Sequence, residues 1–274
     1  MTTTSREAWL QDHGYLQPLA DLHARVDRIA GEVAVPLVPQ TAWSDYADDF
    51  AVGLPLLRSR HAAVDRTQIA SALSMLVERV PSSGLPAAMA EDRELLHDAL
   101  ADHPEAALQA VASLFDGEPP RESYHGLLRY FGWTVAARCL SPIVSAFNAW
   151  RDEERWLRHY CPSCGSAPAM SQLVGNEPGR LRLLTCGCCA TRWRFRRTGC
   201  PFCRTDDDHR LSGLAIEGEE PLRIDYCEQC GGYLKTYVGD GDEGLWLADW
   251  TSLHLDVIAQ QRGLNRLAGS LYHF

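Results

Sequence analysis

Ten cysteines mark where chemistry can happen in this chain of 274 residues, and nine of them lie between Cys161 and Cys230. Residues 1–160 hold only Cys139. Eight of the nine form four CxxC pairs, Cys161/Cys164, Cys186/Cys189, Cys200/Cys203 and Cys227/Cys230, with a long gap, a short gap and a long gap between successive pairs. That rhythm divides them into two units. The step from Cys161 to Cys200 equals the step from Cys164 to Cys203, and the step from Cys186 to Cys227 equals that from Cys189 to Cys230. The flanks repeat as well: Cys161-Pro162-Ser163-Cys164 matches Cys200-Pro201-Phe202-Cys203, and Leu181-Arg182-Leu183 matches Leu222-Arg223-Ile224. Such self-similarity marks each half as one structural unit.

In a CxxC turn the two thiolates point the same way, and backbone N–H groups of the turn can donate to the sulfurs. Two such turns on a short β-ribbon offer four sulfurs in a tetrahedron, which suits Zn²⁺ or iron equally. The spacing therefore predicts Cys161, Cys164, Cys186 and Cys189 around one ion, and Cys200, Cys203, Cys227 and Cys230 around a second. The repeat favours this sequential pairing. Pairing the first CxxC with the third and the second with the fourth stays open. Units this small bury little apolar core, so coordination should supply much of their folding free energy. A rival chemistry is a CxxC pair cycling between dithiol and disulfide, which needs a pair free of metal.

Three neighbours carry secondary expectations. Cys188 sits between two ligands where the second unit has Gln229; a free thiol is expected, with a redox thiol as the alternative. His159, just before the first pair, is a substitute ligand only if a cysteine defaults. The run Arg192-Trp193-Arg194-Phe195-Arg196-Arg197 interleaves cations and rings as nucleic-acid platforms do. It also reads as a half-buried strand with Trp193 and Phe195 inward, its arginines neutralised by Asp206-Asp207-Asp208. The strand is favoured, with a protein-contacting surface rather than a nucleic-acid one. The 26 Lys+Arg face 36 Asp+Glu, net −10, against phosphate contact and the double zinc-ribbon nucleic-acid binder it would imply.

The elements that position these residues follow from periodicity. Leu19, Leu22, Val26, Ile29 and Val33 step as a helix stripe stopped by Pro36 and Pro39. A second stripe runs Ile69, Leu73, Leu76, Val80, capped by Asp65 or Thr67 and stopped by Pro81. Leu95, Leu96 and Leu100 suggest a third helix. Leu108, Val111 and Leu114 suggest a fourth, with Pro104 near its first turn, before Gly117, Pro119 and Pro120 break the chain. Leu128, Phe131, Val135, Cys139, Ile143, Phe147 and Trp150 line a longer helix that Pro142 should kink or split. Cys139 on that stripe reads as a small buried hydrophobe. Trp250, Leu253, Val257, Leu264 and Leu267 suggest a final helix.

His13, His23, His61, His97, His103 and His125 have no paired spacing and read as surface or packing residues. With no HExxH, glycine-rich phosphate loop or GxSxG elbow, no catalytic residue is expected and the chain does not read as an enzyme. Met1–Gly14 has no signal-like apolar stretch, which points to the cytosol. The most apolar segment, Trp133–Trp150, is interrupted by Arg138, Pro142 and Asn148 and falls short of a membrane span. An isologous homodimer is the common default for oligomeric state.

Cys161-Pro162-Ser163-Cys164-Gly165-Ser166, Pro168, the Leu181–Cys189 segment, Trp193, Arg197, the Cys200 pair, and Cys230 followed by Tyr233-Leu234-Lys235 together resemble the FdhE family of formate dehydrogenase accessory proteins. The resemblance implies an α+β multidomain chain. It would comprise an all-α domain (1–158), two tandem rubredoxin-like or zinc-ribbon modules (159–198 and 199–240) and a C-terminal helical tail (241–274). It also implies a cytoplasmic maturation factor, chaperone-like, for the catalytic subunit of a respiratory formate dehydrogenase exported by the twin-arginine route. Such a factor is needed for activation and does not itself oxidise formate. Two ions per chain follow, iron favoured and zinc the alternative, with the eight paired cysteines as ligands. Cys188 departs from the family pattern.

Overall fold

The structure is a computed structural model that describes residues 6–35, 41–62, 64–103, 105–116, 123–176 and 179–272. Pro36, Pro39, Pro104, Gly117, Pro119 and Pro120, expected as helix boundaries, lie outside them. The helices of the first half are α1 (Arg6–Asp12), α2 (Gln17–Ala30), α3 (Trp43–Val52), α4 (Arg66–Arg79), α5 (Ala87–Ala101), α6 (Ala106–Asp116) and α7 (His125–Trp150). Asp65 rather than Thr67 caps α4, its carboxylate accepting from the Gln68 N–H at 3.0 Å. Of the apolar positions expected on α5 and α6, Leu96, Val111 and Leu114 are buried, while Leu95 and Leu108 face solvent.

α7 is apolar on more than one side, burying Leu127, Tyr130, Phe131, Trp133, Val135, Cys139 and Phe147, and so forms the centre of the bundle. Gly132 lets α6 approach, because a Cβ there would overlap the Leu114 side chain. Of the kink or split expected at Pro142, the split does not occur: α7 runs as one helix of 26 residues. Proline removes the N–H that would serve the Arg138 carbonyl one turn back. The Ser141 hydroxyl donates to that carbonyl at 2.8 Å and leaves it satisfied.

The second half is one six-stranded sheet of β1 (Pro168–Val174), β2 (Leu181–Cys186), β3 (Arg192–Phe195), β4 (Leu211–Ala215), β5 (Leu222–Cys227) and β6 (Tyr233–Val238), in the order β3-β2-β1-β6-β5-β4. Each cysteine unit is the same three-strand antiparallel meander, so the sequence duplication is a duplication of topology. β1 joins β6 in parallel, from Met170 opposite Lys235 to Leu173 opposite Val238, and fuses the meanders. Trp193 and Phe195 point inward on β3, as the alternation predicts.

The chain closes with α8 (Glu243–Trp246), a 3-10 turn (Asp249–Ser252) and α9 (Leu253–Gln261). The final helix is shorter than the apolar spacing suggests. Gly263, in the left-handed region at φ 76°, follows its end, so Leu264 and Leu267 lie beyond it and Trp250 precedes it. Its buried face is Leu255 and Ala259, with Val257 exposed. Two apolar cores result. The larger runs from the helices into the first unit and includes Cys161, Cys164, Cys186, Cys188, Cys189, Trp193 and Phe195. The smaller gathers Leu222, Ile224, Tyr233, Tyr237, Trp246 and Leu255 around Trp9, delivered from α1 in the opposite half of the sequence.

Candidate metal centres

All four CxxC turns share one hydrogen-bond pattern. The N–H of the first cysteine donates to the carbonyl five residues on: Cys161 to Ser166, Cys186 to Thr191, Cys200 to Thr205 and Cys227 to Gly232, each at 2.9 Å. The fifth residue of each turn adopts positive φ, at Gly165, Ala190, Arg204 and Gly231. The chain must coil left-handed there so that both sulfurs face inward. Glycine accepts this without cost, whereas Ala190 and Arg204 carry a Cβ penalty of about 1–2 kcal/mol.

These turns bring Cys161, Cys164, Cys186 and Cys189 together, with Sγ separations of 3.5 Å (161–189), 3.4 Å (164–186) and 3.6 Å (164–189). Cys200, Cys203, Cys227 and Cys230 form the second group, with separations of 3.8 Å (200–230) and 3.7 Å (203–227). Four sulfurs at metal–sulfur bonds of about 2.3 Å have edges of about 3.8 Å, so both groups have the size of a tetrahedral thiolate site. Each could hold one ion. First pair meets second and third meets fourth; the cross-braced arrangement is not the one observed.

Dipoles support the sulfurs. The Phe202 N–H donates to Cys200 Sγ and the Cys188 N–H to Cys186 Sγ, both at 3.4 Å. The Ser166 hydroxyl lies 3.4 Å from Cys164 Sγ and the Thr191 hydroxyl 3.2 Å from Cys189 Sγ. Within the first group, hydrogen bonding with Cys161, Cys164 and Cys186 pulls the Cys189 thiol well below its usual range, and hydrogen bonding with Cys161 pushes Cys164 well above. Such a cluster concentrates thiolate character on one sulfur, and coordination would release the remaining protons.

The clusters differ in setting. All four cysteines of the first are buried, and the Leu56 and Leu57 N–H groups donate to the Pro162 and Ser163 carbonyls at 2.9 and 2.8 Å, lashing the first turn to the helical half. In the second, Cys203 and Cys230 are partly exposed. A cavity of about 440 Å³ beside it is lined by Arg182, Arg197, Cys200, Arg223, Asp225 and Cys227. The Arg182 guanidinium is buried and donates to the Gly199 carbonyl at 3.0 Å, tying β2 of the first unit to the residue before Cys200.

Cys188 is buried and outside the four-sulfur group. His159 is not among the grouped ligand atoms; its ring meets Tyr160 edge-on at 5.0 Å. Arg194 pairs with Glu154 at 2.6 Å and Arg196 with Asp206 at 3.7 Å, so the arginine strand has acidic neighbours while its rings are turned inward.

Two groups escape the sequence reading. Lys235, the chain's single lysine, is 1% exposed and pairs with Asp249 (2.7 Å) and Asp256 (2.9 Å). Arg266 also bonds Asp249, Ser270 donates to it, and Tyr233 donates to Asp256. Burial works to raise the Asp249 pKa, but Lys235 and Arg266 outweigh it and hold the carboxyl well below the usual carboxylate range. Tyr233-Leu234-Lys235 after the last pair is the only sequence signal of this network. The other group is His13, Glu219 and His254, which no sequence spacing relates.

Among the described residues no helix is long and apolar enough to cross a membrane. Residues 160–197 match the family FdhE, central domain. The chain is 33% identical over 130 residues to a Protein FdhE homolog of Aquifex aeolicus, covering 45% of this chain and 46% of that protein. It is 38% identical over 119 residues to a Protein FdhE homolog of Pseudomonas putida (40% and 37%). It is 34% identical over 113 residues to Protein FdhE of Escherichia coli (40% and 36%). Each alignment thus spans less than half of the relative's length. The crystal structure of the FdhE protein from Pseudomonas aeruginosa superposes with a TM-score of 0.59 at 22% identity, covering 94% of this chain and 88% of that one, which establishes a shared fold. Residues 160–197 thus match the FdhE central domain, relatives named FdhE align with this chain over less than half of their length, and the chain shares the fold of a solved FdhE protein.

Proposed function

We propose that this chain is an accessory protein for formate dehydrogenase maturation, engaging the enzyme's catalytic subunit in the cytoplasm before export, as a binder and not as a catalyst. The observation that carries the proposal is the match of residues 160–197 to the FdhE central domain on a sheet that holds two four-cysteine clusters. Cys161, Cys164, Cys186 and Cys189 serve as ligands of one ion, and Cys200, Cys203, Cys227 and Cys230 of a second, iron by family resemblance and zinc as the alternative. An ion at each site fixes its two turns, because coordination energy substitutes for the core such small units lack. The proposed domains are 1–158, 159–198, 199–240 and 241–274.

A meander pinned at both ends presents a rigid surface, and rigid surfaces bind with a smaller ordering cost than loops. Sulfurs grouped in fours rather than twos favour coordination over dithiol cycling. The test is capture of the formate dehydrogenase catalytic subunit by tagged protein in cells making both, with loss of formate-dependent dye reduction when the chain is deleted. No capture, with activity intact after deletion, overturns the proposal. An optical spectrum of anaerobic protein with metal analysis separates iron, red with charge-transfer bands, from colourless zinc.

A further inference from the structure

His13, Glu219 and His254 come from the end of α1, the β4–β5 loop and α9, and are mostly buried, with side-chain exposures of 9%, 16% and 14%. Glu219 Oε2 lies 2.7 Å from His254 Nε2 and 3.3 Å from His13 Nε2. His13 Nδ1 is 3.0 Å from the Trp9 carbonyl. A carbonyl only accepts, so His13 Nδ1 carries a proton and donates to it, which leaves Nε2 as the nitrogen that faces the carboxylate. Nε2 of both rings therefore converges on the Glu219 carboxylate, where a proton or a metal ion can bridge nitrogen and oxygen. On the far side, His254 Nδ1 is buried without a hydrogen-bond partner, and the ring's polar contact is through Nε2 to Glu219.

We propose that His13 Nε2, His254 Nε2 and a Glu219 oxygen form a third metal site, for a divalent transition ion of the Zn²⁺ class. The ligand atoms all lie within 4.8 Å of one another. Two imidazoles and a carboxylate select borderline ions over Ca²⁺ or Mg²⁺, which prefer all-oxygen shells. The Trp9 carbonyl supplies the outer-shell hydrogen bond that orients a ligating histidine. Three protein ligands leave a coordination position for water or an incoming donor. Tyr15, 60% exposed and with its ring 5.8 Å from both imidazoles, marks the solvent side. The ion would join the chain's first helix to its last. Trp9 already reaches that end through its indole N–H, 3.0 Å from the Thr251 carbonyl.

The test adds Co²⁺ to full-length protein whose cysteine clusters have been saturated with zinc. The expected result is a further equivalent of Co²⁺ with weak visible d–d bands and no thiolate charge transfer, and a rise in thermal midpoint. Glu219→Gln, which preserves shape, should weaken that binding at least about tenfold, and His209→Ala, on an exposed histidine, should leave it unchanged. Should Glu219→Gln alter the far-UV circular dichroism, His254→Gln gives the same reading. A stoichiometry with no thiolate-free cobalt, or cobalt binding that survives both variants, overturns the site.

Discussion

Both cysteine clusters are built from one turn used four times, yet they occupy different ground. The first has every sulfur buried, shares the core of the helical half, and has two backbone hydrogen bonds from Leu56 and Leu57. The second has Cys203 and Cys230 partly exposed, borders a polar cavity, and contributes no cysteine to either apolar core. What holds the second unit against the helices is instead the tail, with Trp9 of α1. Trp250 stacks on His23 at 5.0 Å, and the Lys235–Asp249–Asp256–Arg266 network ties β6 to the last elements. One ligand set can thus be a junction in one place and a local clasp in another, according to what packs on it.

The sharpest way to break this comparison is to remove one ligand from each cluster. Cys161→Ser should cost on the order of 5 kcal/mol or more and unfold sheet and helices together, as seen in urea melts by circular dichroism. Cys203→Ser should loosen β4–β6 while the helical signal persists. If both variants melt alike, the clusters are equivalent after all.

Lys235→Met leaves Asp249 and Asp256 with Arg266 as the cation they share, beside the Ser270 and Tyr233 hydroxyls. It should destabilise the second half by about 3–5 kcal/mol, read as faster amide exchange in β5 and β6.

Acid tests the tail's attachment. Burial, with Arg6 adding to it, lowers the His23 pKa to about 4 from an ordinary 6.5. Its contribution is complete above the ordinary value. As pH falls from there toward the lowered one, the unfolded chain takes up a proton that the fold refuses, and about 3 kcal/mol is lost. His23→Gln should flatten that part of the stability profile.

A chromogenic chelator with a thiol reagent should take one ion about tenfold faster than the other, with Cys203 and Cys230 modified first by mass spectrometry. The smallest effect is at the left-handed residues. Ala190→Gly and Arg204→Gly should each stabilise by about 1 kcal/mol, the first raising the global melting point and the second only local protection around β4.

The eight cysteines were legible because duplication writes itself as equal offsets between matching positions, independent of any tertiary contact. The helices of the first half were legible for the same reason: their apolar steps are local. What failed was local pattern overruled by a single side chain or by distance. Pro142 should kink or split α7, yet the helix is not split, and Ser141 takes over the stranded carbonyl. Val257 keeps helical step yet is exposed, because α9 docks through Leu255 and Ala259. α1 is too short to show a stripe, and Trp9 finds its core among strands and helices of the last quarter of the chain. His13, Glu219 and His254 share no spacing because α1, the β4–β5 loop and α9 meet only in the tertiary fold. The left-handed fifth residue of each turn was visible as glycine at 165 and 231 but concealed as Ala190 and Arg204.

The parallel join between β1 and β6 sets an order of events on the ribosome. Once Cys189 is made, the chain holds all four sulfurs of the first cluster, so that unit can take its ion while synthesis continues. Its β1 edge, however, finds a partner only in residues 235–238, which follow several seconds later at about 5–20 residues per second. For that interval the nascent chain carries an open strand edge of the kind that recruits foreign strands. The sheet is therefore sealed last at its middle, and a pause in translation between the two units is the moment at which this protein is most exposed to mispairing.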